Sequence, residues 1–389
     1  MTTQQPKRRV ALFRNNFLPY SETFIHDELR FHVRYEVTVM ARTLRNEERF
    51  KGHKIVAVDH LAGPRDRLGS AWYGATGRSP IIDTAIQTGH FDILHAHFGH
   101  NGVYALGFAR RHRLPLVVSL HGRDVTVLIG KDRFRPNWWY YSCRCKALFR
   151  EATYFLAAST ELKELIVRAG CPAEKVLINR LGVDLDNFHP QPDQRATSPV
   201  ELVMVGRFVE KKGHMDGIAA VAQAVSQGHD VKLVLIGDGP LKPQYDRQIA
   251  ALGLTQRVEF TGPLPHGGVL ERISRSTVVL APSVIAKNLD RESGLIVAKE
   301  AAACGIPTIG TLHGGIPDII DNGVTGFLVP EHDPQRLGER LCQLLGDEEL
   351  RASFGLAARA KMEREYDIRH RIAALEVIYD DAIQAYKGR

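Results

Sequence analysis

Short β-rich runs alternate with helix-length segments along all 389 residues, and that alternation limits the possible folds more than any single motif does. In the first half the runs are RVALFRN (9–15), YEVTVMA (35–41), HKIVAVD (53–59), FDILHAH (91–97), PLVVSLHG (115–122), ATYFLAAS (152–159) and EKVLINR (174–180). They are apolar on both faces and spaced widely enough for crossover helices, as buried parallel strands require. They predict a doubly wound α/β domain.

The pattern restarts after a polar, proline-bearing stretch, HPQPDQRATSP (189–199), with VELVMVGR (200–207), DVKLVLIGDG (230–239), RVEFTG (257–262), TVVLAPS (277–283), IPTIGT (306–311) and TGFLVPE (325–331). The predicted organisation is a Rossmann-like lobe over 1–190, a linker over 191–199, a second Rossmann-like lobe over 200–365, and a closing helix within 366–389 that packs back on the first lobe. Two doubly wound lobes facing a central cleft would offer ligand sites at the carboxyl ends of their strands.

Composition narrows the function classes. No run of about 18 apolar residues exists to span a bilayer, and MTTQQPKRRVALFRNN has too short an apolar core for a secretory signal, so a cytoplasmic protein is expected. The five cysteines are scattered and form neither a disulfide framework nor a zinc pattern. Charge is uneven. Residues 1–190 carry 28 Lys and Arg against 18 Asp and Glu, about +10, and the remainder 23 against 26, about −3. A basic half suits an anionic partner, whether nucleic acid, lipid or a phosphorylated small molecule; otherwise it is an ordinary solvated surface.

Two stretches carry the chemistry. In RESGLIVAKEAAACGIP (291–307), Glu292 and Glu300 bracket a segment that reads as a helix beginning near Gly294 and stopped by Gly305 and Pro307. Free N–H groups at such a helix start attract an anion, an effect of about 0.3 to 1 kcal/mol and up to ~2 when partly buried. Glu292 would reach ligand hydroxyls, and Glu300 would accept two hydrogen bonds from a vicinal diol such as ribose. A Glu ahead of a helix is otherwise a capping group, and one in mid-helix is otherwise solvated. In VMVGRFVEKKG (203–213), Arg207 and Lys212 follow the first strand of the second lobe, where two cations can neutralise a diphosphate.

GRFVEKKG, ESGLIVAKEAAACGIPTIGT with HGGIPDIIDNGVTGFLVPEHDP, and LGVDLDNFHP resemble the nucleotide-sugar lobe and linker of retaining glycosyltransferases of family 4, which have the two-lobed GT-B fold. FLPYSETFIHDEL and HAHFG resemble the bacterial subgroup that builds exopolysaccharides of the colanic-acid type. The resemblance implies that Arg207 and Lys212 bind the donor diphosphate and Glu300 the ribose. Glu292, with the backbone of Gly294, Leu295 and Ile296, would hold the donor sugar and its phosphate. His121 in SLHGRD matches the family's histidine near the donor sugar, so His121 and Glu292 are the catalytic candidates.

The family carries a glycine pair in its first βα loop, where this chain has NNFLPYSET. Ser21, Glu22 and Thr23 there, with His97 of HAHFG, are the acceptor-side candidates. Ser293 replaces the usual aromatic after the first motif glutamate, so donor-sugar preference does not carry over.

The implied reaction moves a sugar from a UDP- or GDP-sugar to a hydroxyl acceptor, with retention and without a metal or other cofactor. Acceptors of this kind are sugars, lipid-linked sugars or small metabolites. The enzymatic rival is a UDP-sugar epimerase of the same fold. Asp184 and Asp186 spell DLD, the metal motif of single-lobed transferases, yet precede the linker as a turn would. VLIGDGPL lacks the third glycine of a dinucleotide site. A non-enzymatic rival is a basic nucleic-acid or membrane module, with cations beside Trp138, Trp139, Tyr140 and Tyr141; packing is the plainer reading of those aromatics. With the enzyme reading, nucleic acid is not an expected partner, and the basic lobe would touch an anionic inner membrane peripherally.

Overall fold

A computed structural model describes residues 7–17, 23–44, 52–59, 64–191 and 198–388, with the side chains of 64–66 left aside. The chain divides into two units, Met1–Gly182 with Ile368–Arg389, and Val183–Asp367.

In the first unit the strands are β1 (Arg8–Phe13), β2 (Asn16–Phe17), β3 (Tyr35–Leu44), β4 (Lys54–Asp59), β5 (Ile93–His97), β6 (Leu116–Leu120), β7 (Tyr154–Ala157) and β8 (Val176–Ile178). Its helices are α1 (Thr23–Arg30), α2 (Pro64–Thr76), α3 (Pro80–Gly89), α4 (Gly99–His112), α5 (Arg123–Ile129), α6 (Pro136–Glu151) and α7 (Thr160–Arg168). The sheet runs β2-β3-β1-β5-β6-β7-β8, with β4 on β3, and its described pairings are parallel. Strand order reverses between β1 and β5, so the crevice of a doubly wound sheet opens beyond Phe13 and His97. Local chemistry sets the helix starts. Ser79 and Ser159 accept from Ile82 N and Leu162 N and so satisfy first-turn donors of α3 and α7.

The second unit holds β9 (Val200–Val205), β10 (Val231–Ile236), β11 (Val258–Gly262), β12 (Val278–Ala281), β13 (Thr308–Thr311) and β14 (Gly326–Val329). Between them lie α8 (His214–Ser226), α9 (Lys242–Ala251), α10 (His266–Arg275), α11 (Ile296–Ala303), α12 (Ile316–Ile319), α13 (Pro334–Gly346) and α14 (Glu348–Lys361). Sheet order is β11-β10-β9-β12-β13-β14, the Rossmann order, which reverses between β9 and β12. The loops after those two strands carry Arg207 and Lys212 on one side and Glu292 on the other.

The boundary at Gly182 precedes the predicted linker. Val183, Leu185 and Phe188 are buried with Val203, Ile273 and Ala303 in the second unit's core, which draws the chain in before the proline-bearing stretch begins. Residues 192–197 of that stretch lie outside the described residues.

The last helix, α15 (Ile368–Lys387), belongs to the first unit. Ile368, Ile372, Leu375, Tyr379 and Ile383 recur at helical spacing and cover Val10, Ile93, Val117 and Leu156 of the sheet. Polar contacts fix its rotation. Glu376 is buried and accepts from Val33 N at 2.9 Å, Arg34 N at 3.0 Å and the Arg34 guanidinium at 3.2 Å. Burial alone would raise the Glu376 carboxyl; His32 and the backbone donors outweigh it and hold it below its ordinary value.

Candidate active site

In the second unit the turn after β9 is shaped by two close approaches. A β-carbon on Gly206 would stand 2.9 Å from the Lys212 stem, so the lysine runs across the bare backbone there. Gly213 has φ +62°, and a β-carbon on it would fall 1.7 Å from Pro282 O, which locks the turn against the end of β12. The two loops of the crevice are thereby held together.

Lys212 Nζ lies 3.1 Å from Glu292 Oε1, and Lys211 Nζ lies 3.6 Å from the same oxygen and 3.4 Å from Asp290 Oδ1. Glu292 is buried. Burial pushes its carboxyl up, but Lys212 and Lys211 pull harder and hold it at about 2, so it stays a carboxylate at physiological pH. Its loop is anchored from behind. Glu292 N donates to His313 Nε2 at 3.1 Å, and His313 Nδ1 donates to Glu331 Oε1 at 2.8 Å. Arg207 stands exposed on the same turn as Lys212, with no ion pair among the described residues.

The helix expected near Gly294 begins at Ile296, because Leu295, with φ 4° and ψ 74°, is not yet helical. Gly294, Leu295 and Ile296 therefore form the approach and first turn of α11. Glu300 sits in that helix, buried, with Oε1 3.0 Å from Nε2 of His266, the first residue of α10.

The first unit holds a separate polar cluster. His121 follows β6 in a turn that Asp124 closes, accepting from His121 N at 3.1 Å and Gly99 N at 2.8 Å. His121 stacks on His97, with ring centroids 5.2 Å apart and planes within 8°. His97 Nδ1 lies 3.0 Å from His121 Nε2, and His97 Nε2 lies 3.2 Å from Glu28 Oε1. His97 is wholly buried, and its ring reaches the surroundings of the turn through its contact with His121. Burial lowers both imidazoles, His97 to about 3, and the nearby Arg14 cation adds to the effect. Thr23 is the first residue of α1, while Ser21 and Glu22 lie outside the described residues.

Among the described residues, Glu28, His95 and His97 are the group whose potential metal-ligating atoms lie within 4.8 Å of one another. Both nitrogens of each imidazole already have protein partners. His95 meets Tyr379 OH at 2.7 Å and Ser119 Oγ at 2.8 Å, and His97 meets Glu28 and His121. Hydrogen bonding accounts for the set.

Two family models match the chain, Glycosyl transferases group 1 over residues 186–361 and Glycosyltransferase Family 4 over residues 22–187. A putative colanic acid biosynthesis glycosyltransferase WcaL from Escherichia coli (strain K12) is 32% identical over 302 residues, 76% of this chain and 73% of that protein. This chain is a family 4 glycosyltransferase. The amylovoran biosynthesis glycosyltransferase AmsK of Erwinia amylovora is 31% identical over 277 residues, 71% of this chain and 67% of that protein. In fold, the glycosyltransferase is similar to Anabaena HepE in complex with UDP, with TM-score 0.75 and 20% identity over 96% of this chain and 100% of that one. Its two Rossmann-like units are those of the GT-B class.

Several of the glycosyltransferase's other motifs have structural roles. Asp184 Oδ1 accepts from Asp186 N at 3.2 Å and Asp184 Oδ2 from Asn187 Nδ2 at 2.7 Å, so DLD is an Asx turn. The GDG turn after β10 braces the Arg207 turn, with Phe208 N donating to Asp238 O at 2.9 Å. Tyr141 is buried and Trp138 and Tyr140 pack on the core, whereas Trp139 is 61% exposed. Among the described residues no helix is long and apolar enough to cross a membrane. Sequence reasoning missed Lys211, His266, His313, Glu331, Glu28 and Asp124. Lys211 carried a signal as the neighbour of Lys212, and Glu28, Asp124, His313 and Glu331 stand inside the quoted motifs without being singled out there.

Proposed function

We propose that this glycosyltransferase moves a sugar from a nucleoside diphosphate to a hydroxyl acceptor, with retention at the anomeric carbon and without a metal ion. The carrying observation is the cationic pair Lys211 and Lys212 gathered on Glu292 where strand order reverses between β9 and β12. That is where an open α/β sheet takes its ligand.

Negative charge grows on the departing diphosphate as the glycosidic bond breaks. Lys212, Arg207 and the start of α11 supply positive charge there, and they stabilise the transition state more than the ground state. They take the part that a divalent cation plays elsewhere, so turnover should persist in a chelator. Glu292, held ionised, is not a proton donor; it aligns Lys212 and accepts from donor-sugar hydroxyls. Glu300 receives the ribose diol, sharing its carboxylate with His266. By resemblance, His121 is the histidine that meets the donor sugar.

The similarity to WcaL and AmsK supports a polysaccharide or glycolipid acceptor in a bacterial cell. The basic charge of residues 1–190 suits a peripheral approach to an anionic membrane carrying such an acceptor.

The deciding experiment incubates the protein with UDP-, GDP- and dTDP-sugars and follows melting temperature and donor hydrolysis. One nucleotide series should raise the melting temperature, by the equivalent of roughly 2.7 kcal/mol at 100 Kd. NMR of the product should show the donor's anomeric configuration kept. No stabilisation by any series would overturn the reading. Epimerised nucleotide sugar without transfer would favour the epimerase.

A further inference from the structure

His121, His97 and Glu28 form an unbroken line of hydrogen bonds from a partly exposed ring to a buried carboxylate, and nothing in the proposed chemistry uses its inner end. We infer that Glu28 is a positioning residue for His121: acting through His97, it sets which nitrogen of the His121 ring carries the proton. The kinetic part of this inference rests on the proposed sugar transfer; the tautomer part does not.

The argument is one of proton counting. The link between His97 Nδ1 and His121 Nε2, at 3.0 Å, needs a proton on one nitrogen and a lone pair on the other. The link between His97 Nε2 and Glu28 Oε1, at 3.2 Å, takes its proton from His97 when Glu28 is a carboxylate. His97 is then protonated on Nε2 and bare on Nδ1. It must accept from His121, whose proton is therefore also on Nε2. Without an acceptor at residue 28, the His97 proton moves to Nδ1, and His121 must offer a bare Nε2 and carry its proton on Nδ1. The tautomer of a ring is set by the hydrogen bond its other nitrogen makes. Here that rule is applied twice in series.

The surroundings leave the chain little other freedom. Asp124 ties the backbone of His121 to the start of α4, and Phe24 and Phe98 flank its ring at centroid distances of 4.8 and 4.5 Å. Arg14, held over the Phe98 ring, keeps a positive charge beside the imidazoles and so disfavours a second one. At the inner end burial raises the Glu28 carboxyl, while His95, with Nδ1 at 3.5 Å, and His32 at longer range favour its ionised form. His95 is committed to Tyr379 and Ser119. Tyr379 lies on α15, so the C-terminal helix completes the shell that holds Glu28.

Full-length protein labelled with 15N-histidine gives the test, because long-range proton–nitrogen spectra identify each ring's tautomer. His97 and His121 should both be protonated on Nε2 at neutral pH. In Glu28→Leu both should switch to Nδ1, a change two links from the substitution that a packing role would not produce. Glu28→Gln keeps an acceptor oxygen and should restore the original tautomers. Opposite tautomers on the two rings of the wild-type protein, or an unchanged His121 in a folded Glu28→Leu, would overturn the inference. Should Glu28→Leu not fold, the wild-type spectrum decides alone. In turnover, Glu28→Leu should lose kcat on the order of 100-fold, the scale of a misoriented group, with donor KM held within about twofold and with recovery in Glu28→Gln. A tautomer switch without loss of kcat would overturn the kinetic part. A wild-type protein inactive with every donor would overturn the proposed function and leave the tautomer result standing.

Discussion

Lys212 Nζ stands 3.1 Å from Glu292 Oε1 although the two residues belong to different loops, and the carboxylate they share with Lys211 is buried. In the proposed reaction the pair couples stability to donor binding at Lys212 but not at Arg207, which is exposed and unpaired among the described residues. Lys212→Met should therefore cost about 3 kcal/mol of stability, since it strips a buried carboxylate of its nearest cation. Arg207→Ala should change stability by less than about 0.5 kcal/mol while weakening nucleotide-sugar binding by about 2 kcal/mol. Chemical denaturation and calorimetric titration on both variants check the contrast.

Glu300→Ala should weaken donor binding by roughly tenfold to a hundredfold through loss of a charge-assisted acceptor for the ribose. Its effect on stability should be near 1 kcal/mol, since His266 is the side-chain partner it deserts. A nucleotide lacking both ribose hydroxyls should bind wild type and variant equally. Equal losses for both nucleotides would remove the ribose assignment.

Acid should destabilise the protein well before its carboxylates titrate. Burial lowers His97, His100 and His214 from 6.5 to about 3. A base held neutral in the fold is protonated more readily in the unfolded chain, so its contribution is complete above pH 6.5 and drains away as pH falls towards 3. At pH 5 each such imidazole should cost about 2 kcal/mol. Glu292 follows in a lower window, from its ordinary 4.5 down to about 2. Melting temperature measured from pH 7 to 4 should fall from the upper end of that range, and His214→Phe should flatten the fall.

Glu376→Ala should loosen α15 from the first unit. It abandons the backbone donors of Val33 and Arg34 and the His32 ring, 3.2 Å from Glu376 Oε1, at a cost of about 3 kcal/mol. Hydrogen exchange should accelerate in α15 and in the turn at Val33 ahead of the second unit. Uniform acceleration in both units would contradict this.

Gly213→Ala should be among the most disruptive single methyl additions in the chain. The new β-carbon would meet Pro282 O at 1.7 Å with φ at +62°, so the Lys212 turn must move off β12. Loss of donor-induced thermal stabilisation is the readout.

Much of this was legible along the chain. The strands of both sheets follow from apolar runs buried on two faces, and the stop of α11 from Gly305 and Pro307. Lys212 and Glu292 stood out because cations and carboxylates at the carboxyl ends of strands have a physical reason to be there. The start of α11 was read two residues early because Leu295 is a good helix former held out of the helix by its loop. His97 was read as an acceptor-side residue, and the structure places it wholly buried between Glu28 and His121. Nothing local marks a histidine in a strand as an inner link rather than an outer one.

The sequence by itself determined two doubly wound sheets, the cationic turn after β9 and the carboxylates around α11, because period, glycine placement and charge are properties of neighbouring residues. Only tertiary structure decided that Lys211 joins Lys212 on Glu292, that His266 takes Glu300, and that Glu28 reaches His121 through His97. Those contacts join residues dozens of positions apart. They arise where parallel strands bring separate loops to one sheet edge, a register set by the packing of whole elements and written in no short stretch of the chain.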